Sequence, residues 1–336
     1  MITAPLTAAS KYRPPFRNHE PSRFVDPKAE GINLSTASIP LYDPTNFTIV
    51  TRHQTDWDLA IRIIEDKRMA RLSQFCTSYQ GEVNEKRDKK CLSRDEADGP
   101  LVMRGSNICL YAVREASQGE DFYLDVHDFF KGKKPESKAF HSKHERVGFQ
   151  RSSPQNNFRR IIAARMGAGN FCFDTVSYMP ITEAKLPLNF LVGLLNSKLL
   201  DWYFRLGSTN SKVNEYQFNN LPCPVFAEAL TPDDERLKDE VKEAIQDEDF
   251  AAAFDSLKPK LAEPPFSPIV RDVIVDLVNR ITLIEAGRGD IARKERSALD
   301  PDGQPYQDLI DRCLFAMAGL SDSESAALQG RLAKMR

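Results

Sequence analysis

The sequence predicts an α+β protein, a mixed-sheet region followed by an α-helical C-terminal region. Three observations lead there. Short apolar segments broken by Gly and Pro occupy residues 75–178. Segments with apolar residues three and four apart flank them, at 56–72 and 188–206. Beyond Val225 the chain changes character, and 232–257, 268–297 and 306–335 read as amphipathic helices with acidic polar faces.

Taken in order, residues 1–40 form an extended N-terminal arm, rich in Pro and Arg, with Pro14-Pro15, Pro21 and Pro27. Residues 41–225 form the sheet-bearing domain. Its first helix spans 56–72, capped by Thr55 or Asp56, with Leu59, Ile63, Ile64 and Leu72 on one face. Residues 102–113 hold two apolar runs around a turn, Arg104-Gly105-Ser106-Asn107. Residues 158–166 and 171–178 read as strands on either side of Gly167-Ala168-Gly169-Asn170. In 188–206, Leu191, Leu194, Leu195, Leu199, Trp202, Tyr203 and Leu206 recur at helical spacing, and Gly207 ends the run. A polar loop follows, 208–214, and then Leu221-Pro222-Cys223-Pro224. Residues 226–336 form the acidic helical region, broken at Asp300-Pro301-Asp302-Gly303.

The formal net charge of −2 argues at first against a nucleic-acid partner. Its distribution reverses that argument. Residues 1–225 carry 31 Lys/Arg against 25 Asp/Glu, and residues 226–336 carry 15 against 23. Within 131–165, ten cations face only Glu136 and Glu145, a local net of +8. Such a stretch is either a phosphate-binding surface or a solvated basic loop.

Several classes fall away. No apolar run is long enough to span a bilayer, and the N-terminus lacks a signal pattern. Cys76, Cys91, Cys109, Cys172, Cys223 and Cys313 form no Cys-x-x-Cys pair, which points to reduced, mostly buried thiols in a cytoplasmic protein. No P-loop, His-Glu-x-x-His or Gly-x-Ser-x-Gly motif occurs. Methylation of a base amine needs a short polar residue ahead of Pro-Pro-aromatic, to accept from the amine while the ring stacks on the flipped base. Arg13-Pro14-Pro15-Phe16 and Glu263-Pro264-Pro265-Phe266 both have the wrong first residue. Met166-Gly167-Ala168-Gly169 reads as a turn. His141 and His144 lack the carboxylate or Cys company of a metal site, so they are expected as solvated or phosphate-contacting residues. No catalytic and no metal residues are assigned.

One stretch carries a specific resemblance. Residues 188–224 contain Leu195-Asn196-Ser197-Lys198, the aromatic pair Trp202-Tyr203, the polar loop 208–214, and Leu221 to Pro224. This resembles the closing signature of the TaqI-like C-terminal specificity domain. That domain is the target-recognition part of adenine-N6 DNA methyltransferases and of type IIG restriction-modification enzymes. Residues 99–108, with Arg104-Gly105, resemble the family's strand-turn-strand, residues 159–165 its basic strand, and residues 311–324 its closing helix. The likeness covers roughly residues 40–225.

The resemblance implies sequence-specific recognition of double-stranded DNA, as the specificity part of a restriction-modification or phage-defence system. Its loops would hold the DNA contacts: Arg104, Ser106 and Asn107 in the turn; Lys131, Lys133, Lys134, Lys143, Arg146, Arg151, Arg159, Arg160 and Arg165 in the basic stretch; Asn210, Lys212 and Asn214 after the helix. Arg104 and Asn107 serve equally well as turn stabilisers, Trp202 and Tyr203 as core, and Asn196 and Lys198 as helix-surface or capping residues. The implied catalytic domain, with its S-adenosylmethionine, is absent from this chain and expected on a methyltransferase or nuclease subunit, with no membrane partner. The alternatives are the C-terminal portion of a split or truncated adenine methyltransferase, and a protein-interaction module on the same fold.

Overall fold

The structure is a computed structural model that describes residues 15–17, 31–49, 53–114, 120–208, 211–289 and 298–334. The N-terminal arm lies mostly outside the described residues. Within it β1 (Pro15–Arg17) pairs antiparallel with β2 (Gly31–Asn33). Two helices follow, α1 (Ile39–Tyr42) and α2 (Gln54–Glu65), and then β3 (Met69–Arg71). The middle of the chain is built from short strands: β4 (Tyr79–Gln80), β5 (Leu92–Ser93), β6 (Val102–Met103) and β7 (Tyr123–Leu124). The short helix α3 (Val126–Phe130) comes next. Then come β8 (Arg146–Gln150), β9 (Ala163–Met166), β10 (Phe171–Cys172) and β11 (Val176–Pro180). The remainder is helical except for β12 (Pro222–Pro224). Its helices are α4 (Leu188–Leu195), α5 (Lys198–Gly207), α6 (Glu215–Asn219), α7 (Pro232–Gln246), α8 (Phe250–Leu257), α9 (Pro268–Gly287), α10 (Gln304–Met317) and α11 (Asp322–Lys334). The α+β class read from the sequence is the one observed.

The largest sheet is antiparallel, in the order β4-β11-β8-β9. Strand alternation sends its two faces into different apolar clusters. Val147, Phe149, Ala163 and Met179 enter the main core, and Ala164, Met166, Val176 and Tyr178 enter a small cluster with Met103, Ile108 and Cys172. A third cluster gathers Val83, Val102, Leu124, Phe129, Phe171 and Phe173. The main core continues across residue 225 without a break and joins Leu191 and Leu195 to Ile274, Ile310 and Leu328. Helices α4 and α9 approach closely at Gly193. A Cβ there would lie 2.8 Å from Val278 Cγ2 and 3.1 Å from Ile274 Cγ2. Each large aliphatic side chain in this core contributes about 1.5–3 kcal/mol by burial.

Helix boundaries differ from the sequence reading where side chains take over backbone bonds. Residues 188–206 form two helices, not one. Asn196 turns its amide onto β9, accepting from Ala163 N at 2.9 Å and donating from Nδ2 to Ala163 O at 2.8 Å. Ser197 then caps α5 by accepting from Leu200 N at 3.2 Å. The first helix stops at Glu65. Lys67 adopts a φ of 54°, and the next residues form β3 against β12. Leu221 to Pro224 is thus an edge pairing in which Pro222 and Pro224 have no N–H to donate, which ends sheet growth there. Residues 232–257 split at Asp249, which caps α8 by accepting from Ala252 N at 2.9 Å. Residues 306–335 split at Gly319, where a φ of 75° closes the end of α10. Of 268–297, residues 290–297 lie outside the described residues. Residues 158–162 are loop, and only Ala163–Met166 is strand.

Among the described residues no helix is long and apolar enough to cross a membrane, and no group of three or more His, Cys, Asp or Glu side chains could hold a metal. All six cysteines are thiols, and five are buried. Phe266, the aromatic of the second Pro-Pro motif, is fully buried in the main core.

Candidate nucleic-acid interface

The ten cations of residues 131–165 divide into two groups. Arg146 is fully buried, with Nη1 3.1 Å from Glu82 Oε2 and its guanidinium 4.3 Å from the Tyr178 ring centroid. Arg159 and Arg160 are buried over α5. Arg159 lies 3.8 Å from Asp201 Oδ2, and Arg160 donates from Nη2 to Ser208 Oγ at 3.1 Å. Arg165 is exposed but forked onto Glu145 at 2.7 and 2.8 Å. Lys133 lies 3.7 Å from the Phe129 ring centroid and 3.9 Å from Asp88. Lys138 donates to the carbonyls of Gln80 and Gly81. Burial draws its ammonium below the ordinary lysine value, against the pull of Glu82.

Lys131 and Lys134 are exposed with no ion-pair partner among the described residues, and Lys143 touches only the rings of Phe130 and Phe140. These three form a basic shelf that leads into the start of β8. The expectation that Arg146, Arg159 and Arg160 contact DNA is corrected here. Their guanidiniums are enclosed, and the first two are paired to buried carboxylates.

The turn at Arg104 also resolves. Asn107 is fully buried, accepts from Arg104 N at 2.7 Å and donates to Arg114 O at 2.8 Å, so it stabilises the turn rather than facing DNA. Arg104 packs over Phe173 at 4.6 Å and reaches Glu85 at 3.4 Å. Ser106 is half-buried in the same turn. His141 and His144 differ in their surroundings. His141 sits edge-on to Tyr79, 3.2 Å from Tyr178 Oη and 3.8 Å from Glu183, and burial holds its imidazole below the ordinary value against the pull of Glu183. His144 is exposed.

The far end of β8 carries a second surface. Residues 152–158 and 211–214 run side by side: Ser153 N donates to Ser211 O at 2.7 Å and Val213 N to Arg151 O at 2.8 Å. Beneath them Arg205 is almost completely buried. It donates to Gln155 O at 3.0 Å and Asn157 O at 2.8 Å, while Asp201 accepts from its Nε at 3.2 Å. This anchor fixes the backbone of residues 155–157 and leaves Gln155, Asn156, Phe158 and Lys212 exposed on the outside. Asn214 is half-buried and donates to Gln217 Oε1 at 3.3 Å. Asn210 lies outside the described residues. The sequence reading missed Asn156 and Phe158. The polar run Ser152-Ser153-Pro154-Gln155-Asn156-Asn157 is their signal, a turn that also offers amides.

Between this surface and the sheet lies an open cleft of about 410 Å³, counting the solvent at its mouth. Phe149 and Phe218, stacked at 4.5 Å and 2°, contribute its apolar side. Ser78, Gln80, Arg151, Ser177, Asn214 and Glu215 contribute polar groups. The Arg151 guanidinium, the Glu215 carboxylate and both serine hydroxyls make no hydrogen bond or ion pair among the described residues.

No protein-family model matches the chain, and no curated protein does. Among solved structures it is similar to the type IIL restriction-modification enzyme MmeI in complex with DNA, at 8% identity and a TM-score of 0.40. The match covers 77% of this chain and 35% of that one, so the chain spans about a third of the length of the enzyme it matches. A TM-score of 0.40 does not define a shared fold, and the surfaces described above rest on this chain's own geometry.

Proposed function

We propose that this chain recognises double-stranded DNA in a sequence-specific way, as the specificity part of a restriction-modification or phage-defence system. The observation that carries this reading is the set of cations left without carboxylate partners among the described residues, Lys131, Lys134 and Lys143 on the shelf and Arg151 at the other end of β8. That strand has five residues, about 17 Å at ~3.4 Å per residue. The span is about half a helical turn of B-DNA, so one surface can hold phosphates while the other faces a groove. Phosphate contacts set register and salt-dependent affinity, and Asn and Arg side chains on the anchored loops read base edges. Catalysis, with its S-adenosylmethionine, would reside on a methyltransferase or nuclease subunit, for which the acidic helices α7 to α11 offer a docking face.

The test is duplex binding followed by fluorescence anisotropy over a range of salt concentrations. Lys131→Ala with Lys134→Ala weakens binding and lowers the slope of log K against log salt by about 1.8, from ~0.9 per phosphate contact. A salt-independent affinity, or no loss in the double variant, overturns the phosphate grip. Failure of a random duplex pool to yield an enriched word overturns the specificity.

A further inference from the structure

A second basic segment lies against the shelf. Residues 84–91 run Asn84-Glu85-Lys86-Arg87-Asp88-Lys89-Lys90-Cys91, four cations against two carboxylates. Both carboxylates are engaged. Glu85 lies 3.4 Å from Arg104 Nη2. Asp88 is buried and accepts from Asn84 N at 2.8 Å, and from Arg87 Nε and Nη2 at 3.1 and 2.8 Å. Its Oδ1 also lies 3.9 Å from Lys133 Nζ, which joins this loop to the shelf. A second link runs from Asp125 N to Cys91 O at 2.9 Å.

Lys86, Lys89 and Lys90 remain, exposed and with no ion-pair partner among the described residues. Lys131 and Lys134 share that condition on the adjoining segment. The carboxylates of that segment offer little relief. Asp125 caps α3 by accepting from Asp128 N at 3.0 Å, and Asp128 lies 3.6 Å from His127. Across 84–91 and 125–136, five unpaired lysines therefore face one unpaired carboxylate, Glu136.

The loop keeps its shape without these lysines. Asn84 Oδ1 accepts from Lys86 N at 3.1 Å and Arg87 N at 2.9 Å, Cys91 N donates to Asp88 O at 2.9 Å, and Arg87 Nη2 donates to Glu82 O at 3.0 Å. A flexible loop would lose backbone freedom on meeting an anion, whereas here that ordering is already present. Like charges held together in a fixed turn repel one another, and an anion relieves the strain. One phosphate cannot reach five ammonium groups spread over two segments, so the arrangement suits a polyanion.

We propose that residues 86–90 are a second phosphate-binding element, which with Lys131 and Lys134 follows the backbone of duplex DNA over several successive phosphates. The inference rests on the duplex reading above and adds Lys86, Lys89 and Lys90 to it. Arg87, bound to Asp88 and to Glu82 O, is a tether that shapes the loop. Phosphate contacts carry no base information, so this element strengthens binding to every duplex alike.

Fluorescence anisotropy of the full chain with a labelled random-sequence duplex, over a series of salt concentrations, tests this. Combining Lys86→Ala, Lys89→Ala and Lys90→Ala should lower the slope of log K against log salt by about 2.7, from ~0.9 per phosphate contact. Arginine at the same three positions should keep the slope. A control with the same loss of charge on the acidic helical region, Lys242→Ala with Lys258→Ala and Lys334→Ala, should leave it unchanged. All six lysines are exposed, so the variants should keep wild-type unfolding curves. An unchanged slope in the first triple variant, or an equal drop in the control, overturns the proposal. A salt-independent affinity of the wild type overturns the duplex reading and this element together. A slope that falls with Lys131→Ala and Lys134→Ala but not with the loop variant overturns this element alone.

Discussion

Replacing Arg146 by Met separates a structural cation from a DNA-contacting one. Both members of the Arg146–Glu82 pair are fully buried, with their charged atoms 3.1 Å apart. Met keeps most of the volume but removes the charge. The Glu82 carboxylate is then left with the N–H of Cys172, 3.2 Å away. Breaking one side of a buried pair costs about 3–5 kcal/mol. For a chain of this size that lowers Tm by roughly 4–7 °C. Burial already pushes the Glu82 carboxyl up, with Arg146 opposing it, and losing Arg146 raises it further.

A carboxyl raised in the folded state favours folding below its unfolded value, about 4.3, and loses that advantage as pH rises through the folded value. The penalty of Arg146→Met is therefore larger at neutral pH than at about pH 5. Adding Glu82→Gln removes the stranded charge and recovers most of the loss. Thermal unfolding at the two pH values measures all of this. Duplex affinity at a temperature where the variant is folded should be unchanged. A variant as stable as the wild type but weaker on DNA would refute the assignment of Arg146 to the interior.

Three further outcomes follow from the packing. Asn196→Ala leaves the Ala163 N–H unpaired inside the core, while the Ala163 carbonyl keeps the bond from Tyr111 N at 3.0 Å, and should cost about 1–3 kcal/mol in urea unfolding, so an unchanged midpoint argues for another partner of the N–H. Gly81→Ala places a Cβ 2.0 Å from Phe173 O, a backbone atom that cannot swing aside, and should lower stability by about 2–4 kcal/mol in the same assay. A Tm equal to wild type would show that β4 is free to shift. Glu324 accepts from Arg62 across α2 and α11, which draws its carboxyl down to about 2. Its contribution is complete above the unfolded value of about 4.3 and disappears as pH falls through about 2, so Glu324→Gln should flatten the acid limb of Tm against pH.

The helical face of residues 188–206 is legible because it depends on local spacing, and Trp202 is indeed core, donating from Nε1 to Asp56 at 2.9 Å. Asn196 and Lys198 are tethers instead, Asn196 to Ala163 and Lys198 to Asp308 at 2.8 Å, and both partners are remote in sequence. The break between them is not legible, because it is made by a bond to Ala163, 33 positions away. The basic stretch shows the same limit. A count of charges along 131–165 cannot see Glu82 beneath Arg146, or Asp201 beneath Arg159, since one partner comes from the loop after β4 and the other from α5. The cations that keep no carboxylate partner among the described residues are Lys131, Lys134, Lys143 and Arg151. The exposed position of Asn156 and Phe158 depends on Arg205, which is likewise remote in sequence.

The hold of Arg205 on residues 155–157 has one more consequence. Arg205 binds the carbonyl oxygens of Gln155 and Asn157, and Ser153 and Ser211 are joined through their main chains. None of these bonds uses an outward side chain. Residue 156 can therefore change identity while the backbone beneath it keeps its path. A surface of this kind can acquire new partners by point substitution, with the stability of the chain largely untouched and Arg205 and Asp201 held constant.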